Sequence, residues 1–244
     1  MTYIYPNEAT FAPGELQVSE TFASVMRHVY LWMCLGLCAT GLMAALMVYS
    51  PLVIVLVLLA EVPLLFYALL IGELVLVWQL QARIHRLSIN AARAWFLVYA
   101  VVNGITLSFI FLAYTMSSIA LAFGVTAGLF GVMGLIGYTT KMDLSKWGSY
   151  LLMGLVGLLI ASIVNMFFAS SELEWLLTYF GILLFLGLTI YDTQRIKQRV
   201  VAALAAGDAQ VVARVGVLGA LSLYLDFINL FLKLLRILGR RRRR

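Results

Sequence analysis

Ser222-Leu223-Tyr224-Leu225-Asp226-Phe227-Ile228-Asn229-Leu230-Phe231-Leu232-Lys233 is the stretch that decides the fold. Its polar members, Ser222, Asp226, Asn229 and Lys233, recur at i, i+4, i+7 and i+11. On an α-helix these positions form one stripe, which Gly219 extends toward the N-terminus. The stretch sits in an apolar run over roughly residues 215–238, enough to cover the ~20 residues of a membrane span. Such a stripe cannot face lipid. The helix is therefore predicted to stand inside a bundle, with the stripe turned to a cavity or to partner carboxylates. Lys233 would partly neutralise the stripe or snorkel to an interface.

The rest of the chain agrees with a membrane setting. Of its 244 residues 64% are hydrophobic and 11% charged, against about 25% charged in soluble domains. The fold class predicted is an all-α membrane protein with seven transmembrane helices. The runs lie at roughly 29–50, 52–80, 94–115, 118–140, 148–169, 175–193 and 215–238. The second is too long to cross straight, so it must tilt, bend at Pro63 or project from the bilayer. Residues 1–20, with Glu8, Glu15, Glu20, Pro6 and Pro13, read as a flexible N-terminal arm and not as a cleaved signal peptide. Residues 21–239 form the transmembrane domain, and residues 240–244 a basic tail.

The net charge of +6 is a topology signal and gives no reason to expect a nucleic-acid partner. Arg27 precedes the first run. The other basic residues before the last run cluster as Arg83, Arg86 and Arg93, then Lys141 and Lys146, then Arg195, Lys197, Arg199 and Arg214. The turns near Ser50-Pro51, Thr115–Ser118 and Ser170–Glu174 carry none. The positive-inside rule puts the N-terminus and the basic connections in the cytoplasm. Arg240 to Arg244 then fall outside if the last run spans. Charge favours a re-entrant last segment and length favours a span; a span is the expectation.

Several polar residues interrupt the runs. Glu61 and Glu73 lie in the second, about 120° apart around one helix. Asn103 with Thr106, and Ser162 with Asn165, suggest interhelical hydrogen bonds. Gly124, Gly128, Gly131, Gly134, Gly137, Gly154 and Gly157 mark expected close helix contacts. Cys34 and Cys38 read as small buried hydrophobes, with no disulfide and no metal site.

Asp192 ends the sixth run, three residues before Arg195. A local Asp192–Arg195 ion pair is one reading. A pair with Asp226 is the other: two carboxylates within about 4–6 Å cannot both ionise freely and titrate as a unit. Counting depth from the ends of the runs sets Asp226 roughly 10 Å deeper than Asp192, which weighs against that pairing. The oxygen-only side chains suit a hard cation such as Ca²⁺ and not zinc.

Four segments then carry a resemblance: Gly104-Ile105-Thr106-Leu107-Ser108, Gly137-Tyr138-Thr139-Thr140-Lys141-Met142-Asp143-Leu144, Tyr191-Asp192-Thr193-Gln194 and Leu223-Tyr224-Leu225-Asp226-Phe227. In this order, in a multi-span chain, they resemble the signature segments of the Bax inhibitor-1 (transmembrane Bax inhibitor motif) family, in a bacterial member, from about Thr21 to Gly239. The resemblance implies a seven-helix fold with the last helix central among the other six. It implies a pH-sensitive calcium leak across the membrane, gated by an Asp192/Asp226 pair that could also hold Ca²⁺. A latch arginine at the end of the second helix would be Arg83 or Arg86. A second-helix glutamate would be Glu61, by its following Val62, or Glu73. Ser222 and Asn229 join these as ion-pathway candidates through the stripe. No enzymatic activity and no cofactor beyond transported or bound Ca²⁺ are expected. The partners expected are the lipid bilayer, Ca²⁺ and protons, and the location the bacterial inner (plasma) membrane.

Three other functions compete. An intramembrane aspartyl protease would want Gly-x-Gly before the second aspartate, where this chain has Leu223-Tyr224-Leu225. A non-transporting regulator of membrane proteases or of stress and cell-death pathways would have only the acidic arm as a docking feature. A proton-coupled exchanger would be expected to show an inverted repeat, and none is evident.

Overall fold

The computed structural model describes residues 13–84, 86–140, 142–205 and 209–242. Residues 1–12 of the arm, Lys141 and Arg243–Arg244 lie outside the described residues. Eight helices are described: α1 Pro13–Tyr49, α2 Val53–Glu61, α3 Pro63–Arg83, α4 Ile89–Ala113, α5 Met116–Thr139, α6 Trp147–Phe168, α7 Ser171–Ala205 and α8 Ala209–Leu238. All but α2 contain a stretch long and apolar enough to cross a membrane.

Local chemistry sets the boundaries. Pro63 occupies the first turn of α3 and breaks the second apolar run into α2 and α3, because a proline has no N–H for the helical ladder. Ser88 caps α4 by accepting from the Ala91 N–H, and Thr115 caps α5 by accepting from Ser118. Helix α1 begins at Pro13, inside the region expected to form the arm.

The largest departures are at α7 and α8. Helix α7 continues to Ala205 and α8 starts at Ala209, both beyond the apolar runs. The sequence turns polar after Thr193, yet Ile196, Val200 and Ala203 keep a buried face. Ile196 and Val200 share a core with Val215 of α8. The extension is thus an amphipathic helix, which a count of uninterrupted apolar residues misses.

Helix α8 is the centre of the bundle. Of its most apolar window 67% is buried, against at most 33% in any other spanning helix. It packs against α1, α4, α5 and α7, while α3 packs mainly on α4 and α6 on α7. It is continuous, with no re-entrant break. Past its end the Arg240 N–H donates to Ser118 Oγ at 2.9 Å and the Arg242 N–H to the Ala113 carbonyl at 2.9 Å. The C-terminal segment therefore docks on the α4–α5 connection, one of the turns free of Lys and Arg.

Packing in lipid depends on close approach, since burial of apolar surface gives little drive between helices there. Gly104 on α4 meets α1: a Cβ would fall 2.7 Å from the Thr40 carbonyl oxygen. Gly137 on α5 meets α7: a Cβ would fall 2.7 Å from the Ile190 carbonyl oxygen. The glycine stripe is only partly a contact surface, however. Gly134 and Gly154 also touch neighbours, but Gly124, Gly128, Gly131 and Gly157 face open space within 4 Å. Cys34 and Cys38 are exposed free thiols and not buried as expected; they lie on the outer face of α1, where the bilayer replaces protein contact.

Candidate functional site

Asp192 and Asp226 come together where α7 and α8 run antiparallel. Counting back from Ala205 and on from Ala209, Asp192 and Ser222 fall nearly level, and Asp226 lies about one helical turn, roughly 6 Å, beyond. The expected offset of roughly 10 Å shrinks to about one helical turn because both helices extend past their apolar runs. The Ser222 hydroxyl is within hydrogen-bonding reach of the Asp192 carboxyl. Asp192 is the charged side chain whose field reaches Asp226. Asp226 is only 6% exposed, and its Oδ2 is buried without a hydrogen-bond partner.

The local Asp192–Arg195 ion pair is not formed. The single ion pair among the described residues joins Arg236 to Glu174. The Arg195 guanidinium sits over the Tyr191 ring, 5.9 Å from its centroid. Arg195 and Arg199, both on α7, nonetheless set the positive field around Asp192. The latch candidates Arg83, the last residue of α3, and Arg86, in the connection that follows, are both exposed.

The stripe continues beyond Asp226. Asn229 Nδ2 donates to the Leu225 carbonyl of its own helix at 2.8 Å. Lys233 lays its stem against Gly181 of α7. From there two cavities open: one of about 320 Å³ touches Asn229, Lys233 and Tyr114. The other, about 450 Å³, is bordered by Ser162, Asn165, Glu174, Lys233 and Arg236. The half of the stripe nearer the C-terminus therefore has polar space beside it. Asp226 borders neither cavity.

The two glutamates separate clearly. Glu61 ends α2 and is exposed, so it does not stand at mid-bundle. Glu73 is 8% exposed and accepts a hydrogen bond from the Thr106 hydroxyl of α4. Its charge reaches Tyr99 and Tyr224. Tyr224 in turn hydrogen-bonds Thr40 of α1 at 2.6 Å. Of the expected interhelical bonds only that of Thr106 crosses helices. Asn103 bonds Tyr99 on its own helix, Ser162 bonds the Leu158 carbonyl, and Asn165 caps the turn at Ser170.

Gln194 is a site residue that the sequence did not single out. Its side chain accepts from the Leu144 N–H at 2.9 Å and donates to the Met142 carbonyl. One amide on α7, two residues past Asp192, thus clamps the α5–α6 connection. In that connection, outside the spans, Ser145 hydrogen bonds hold the Asp143 carboxyl below its ordinary pKa, with Lys146 adding a smaller effect. Gln194→Ala is expected to lower stability by about 1–3 kcal/mol by leaving two backbone groups without partners. Thermal denaturation in detergent checks this; an unchanged midpoint would contradict the clamp. Gln194 lies in the segment Tyr191-Asp192-Thr193-Gln194, so its nearness to Asp192 was the available signal.

The fold and this site define a multi-pass membrane protein built around a central helix that carries a buried aspartate, Asp226. The family model for inhibitor of apoptosis-promoting Bax1 matches residues 22–243. Inner membrane protein YbhL of Escherichia coli K12 is 46% identical over 217 residues, covering 89% of this chain and 92% of the relative. An uncharacterized membrane protein of Streptococcus pyogenes serotype M3 is 34% identical over 230 residues, covering 94% of this chain and 96% of the relative. The chain belongs to the Bax inhibitor-1 family.

Proposed function

We propose that this protein is a pH-sensitive cation leak of the bacterial inner membrane, with Ca²⁺ as the expected ion and Asp192 with Asp226 as its proton-sensitive element. The observation that carries this reading is the Asp226 carboxyl. It is enclosed on the central helix beside a second carboxyl, with Oδ2 left unpaired. An ionisable group in that position is costly and calls for a proton or a passing cation. The location follows from the name of the Escherichia coli relative, an inner membrane protein.

The pair suits a transit point better than a resident metal site. No group of three or more His, Cys, Asp or Glu side chains gathers among the described residues. Ca²⁺ takes about 6–8 oxygen ligands, so water would fill most of its shell here. A latch by Arg83 or Arg86 belongs to a conformation in which either turns inward; in the present one Arg195 and Arg199 supply the positive field. Proteolysis fits poorly, because Leu223 and Tyr224 are 0% exposed and leave no room for a peptide backbone beside Asp226.

Reconstitution tests the reading. Proteoliposomes are expected to leak Ca²⁺ faster than protein-free vesicles, at a rate that changes with pH. Flux equal to the protein-free background at every pH would overturn it.

A further inference from the structure

A separate cavity of about 220 Å³ lies between the N-terminal parts of α1, α4 and α8, on the side of the basic connections. Its polar lining is Arg93, His28, Thr21 and Ser24, and Trp32 and Val217 are among its apolar walls. No carboxylate stands among the described lining residues. The Arg93 guanidinium lies over the Trp32 ring at 5.1 Å, and its Nε is buried without a partner. The one ion pair among the described residues, Arg236–Glu174, is at the opposite ends of the helices. His28 Nδ1 donates to the Ser24 carbonyl at 2.9 Å, which ties the ring to its own helix.

The buried Arg93 Nε lacks a partner, and the planar fork of a guanidinium matches the oxygens of a phosphate. The rest of the lining suits an amphiphile: hydroxyls beside the cation, aliphatic and indole carbon beyond. Trp32 is the kind of side chain expected at headgroup level. Gly216 of α8 borders the cavity, and no atom lies within 4 Å of where its Cβ would stand.

We propose that this cavity binds a phosphate group, the chemistry shared by an anionic phospholipid headgroup of the cytoplasmic leaflet and by free inorganic phosphate. Arg93 holds the charge, with the Thr21 and Ser24 hydroxyls beside it.

The test uses the purified full-length protein in detergent. Short-chain phosphatidylglycerol and inorganic phosphate are titrated separately and followed by native mass spectrometry and thermal shift, with phosphatidylcholine of equal chain length as the neutral probe. Saturable binding of phosphatidylglycerol but not phosphate identifies the lipid as the source. Saturable binding of phosphate alone identifies the soluble anion; both support the site. Arg93→Gln should weaken binding by about tenfold or more, the loss expected when a charge-assisted hydrogen bond is removed. Gly216→Leu fills the cavity without a clash at Cβ and should abolish binding while the ligand-free melting temperature holds. Arg27→Gln, on the exposed face of α1, should bind as wild type. Absence of saturable binding by either anion, or wild-type affinity in both Arg93→Gln and Gly216→Leu, would overturn the proposal. Binding is read without ion flux, so the outcome is independent of conduction.

Discussion

Vesicles carrying Asp226→Asn are expected to leak Ca²⁺ at a rate that no longer follows pH. Asparagine keeps the shape of aspartate and removes its titration. A gate governed by one shared proton changes by up to about tenfold per pH unit, and in this variant the change should fall below about twofold. Asp192→Asn should do the same from the other helix, because the charge on Asp192 reaches Asp226 and two such carboxyls titrate as a unit. The side chains around the site should stay in place, since the Ser222 hydroxyl can hydrogen-bond an amide oxygen as well as a carboxylate. Fluorescent Ca²⁺ reporters inside the vesicles read the rate. A wild-type pH response in both variants would remove the pair from the mechanism.

Gly137→Val should be strongly destabilising. Its Cβ would stand 2.7 Å from the Ile190 carbonyl oxygen and 2.9 Å from Thr193 Cβ. Neither the backbone of α7 nor a buried threonine can move aside without separating α5 from α7. Overpacking of this kind costs about 1–3 kcal/mol and sometimes more. The same displacement would pull the α5–α6 connection from Gln194, which adds to the loss. Gly128→Ala is the matched control: nothing lies within 4 Å of its Cβ, and alanine favours a helix by up to about 1 kcal/mol. Melting temperatures in one detergent give the comparison. Equal midpoints for the two variants would contradict the close approach of α5 and α7.

The central helix was legible because four polar residues at helical spacing admit one face. Asp226 ended up interior, as the stripe required. What the sequence hid was length. Charged and amide residues after Thr193 end an apolar run but not a helix, and that difference inflated the offset between the aspartates from about one helical turn to roughly 10 Å. The choice between Glu61 and Glu73 was hidden for a related reason. Both sit in one apolar run, and only the break at Pro63 separates the exposed end of α2 from the buried face of α3. Glycine spacing likewise could not tell which face meets protein and which meets lipid, because both settings accept small residues. Gln194 was passed over because it bears no charge; its effect comes through the backbone it holds.

The separation of the Asp192 and Asp226 carboxyl groups, determined in lipid nanodiscs at about pH 5 and about pH 8, tests the central claim most directly. A shared proton should hold the two groups within hydrogen-bonding distance at the lower pH, and charge repulsion should part them at the higher one. The same separation at both pH values would contradict a proton-sensitive pair.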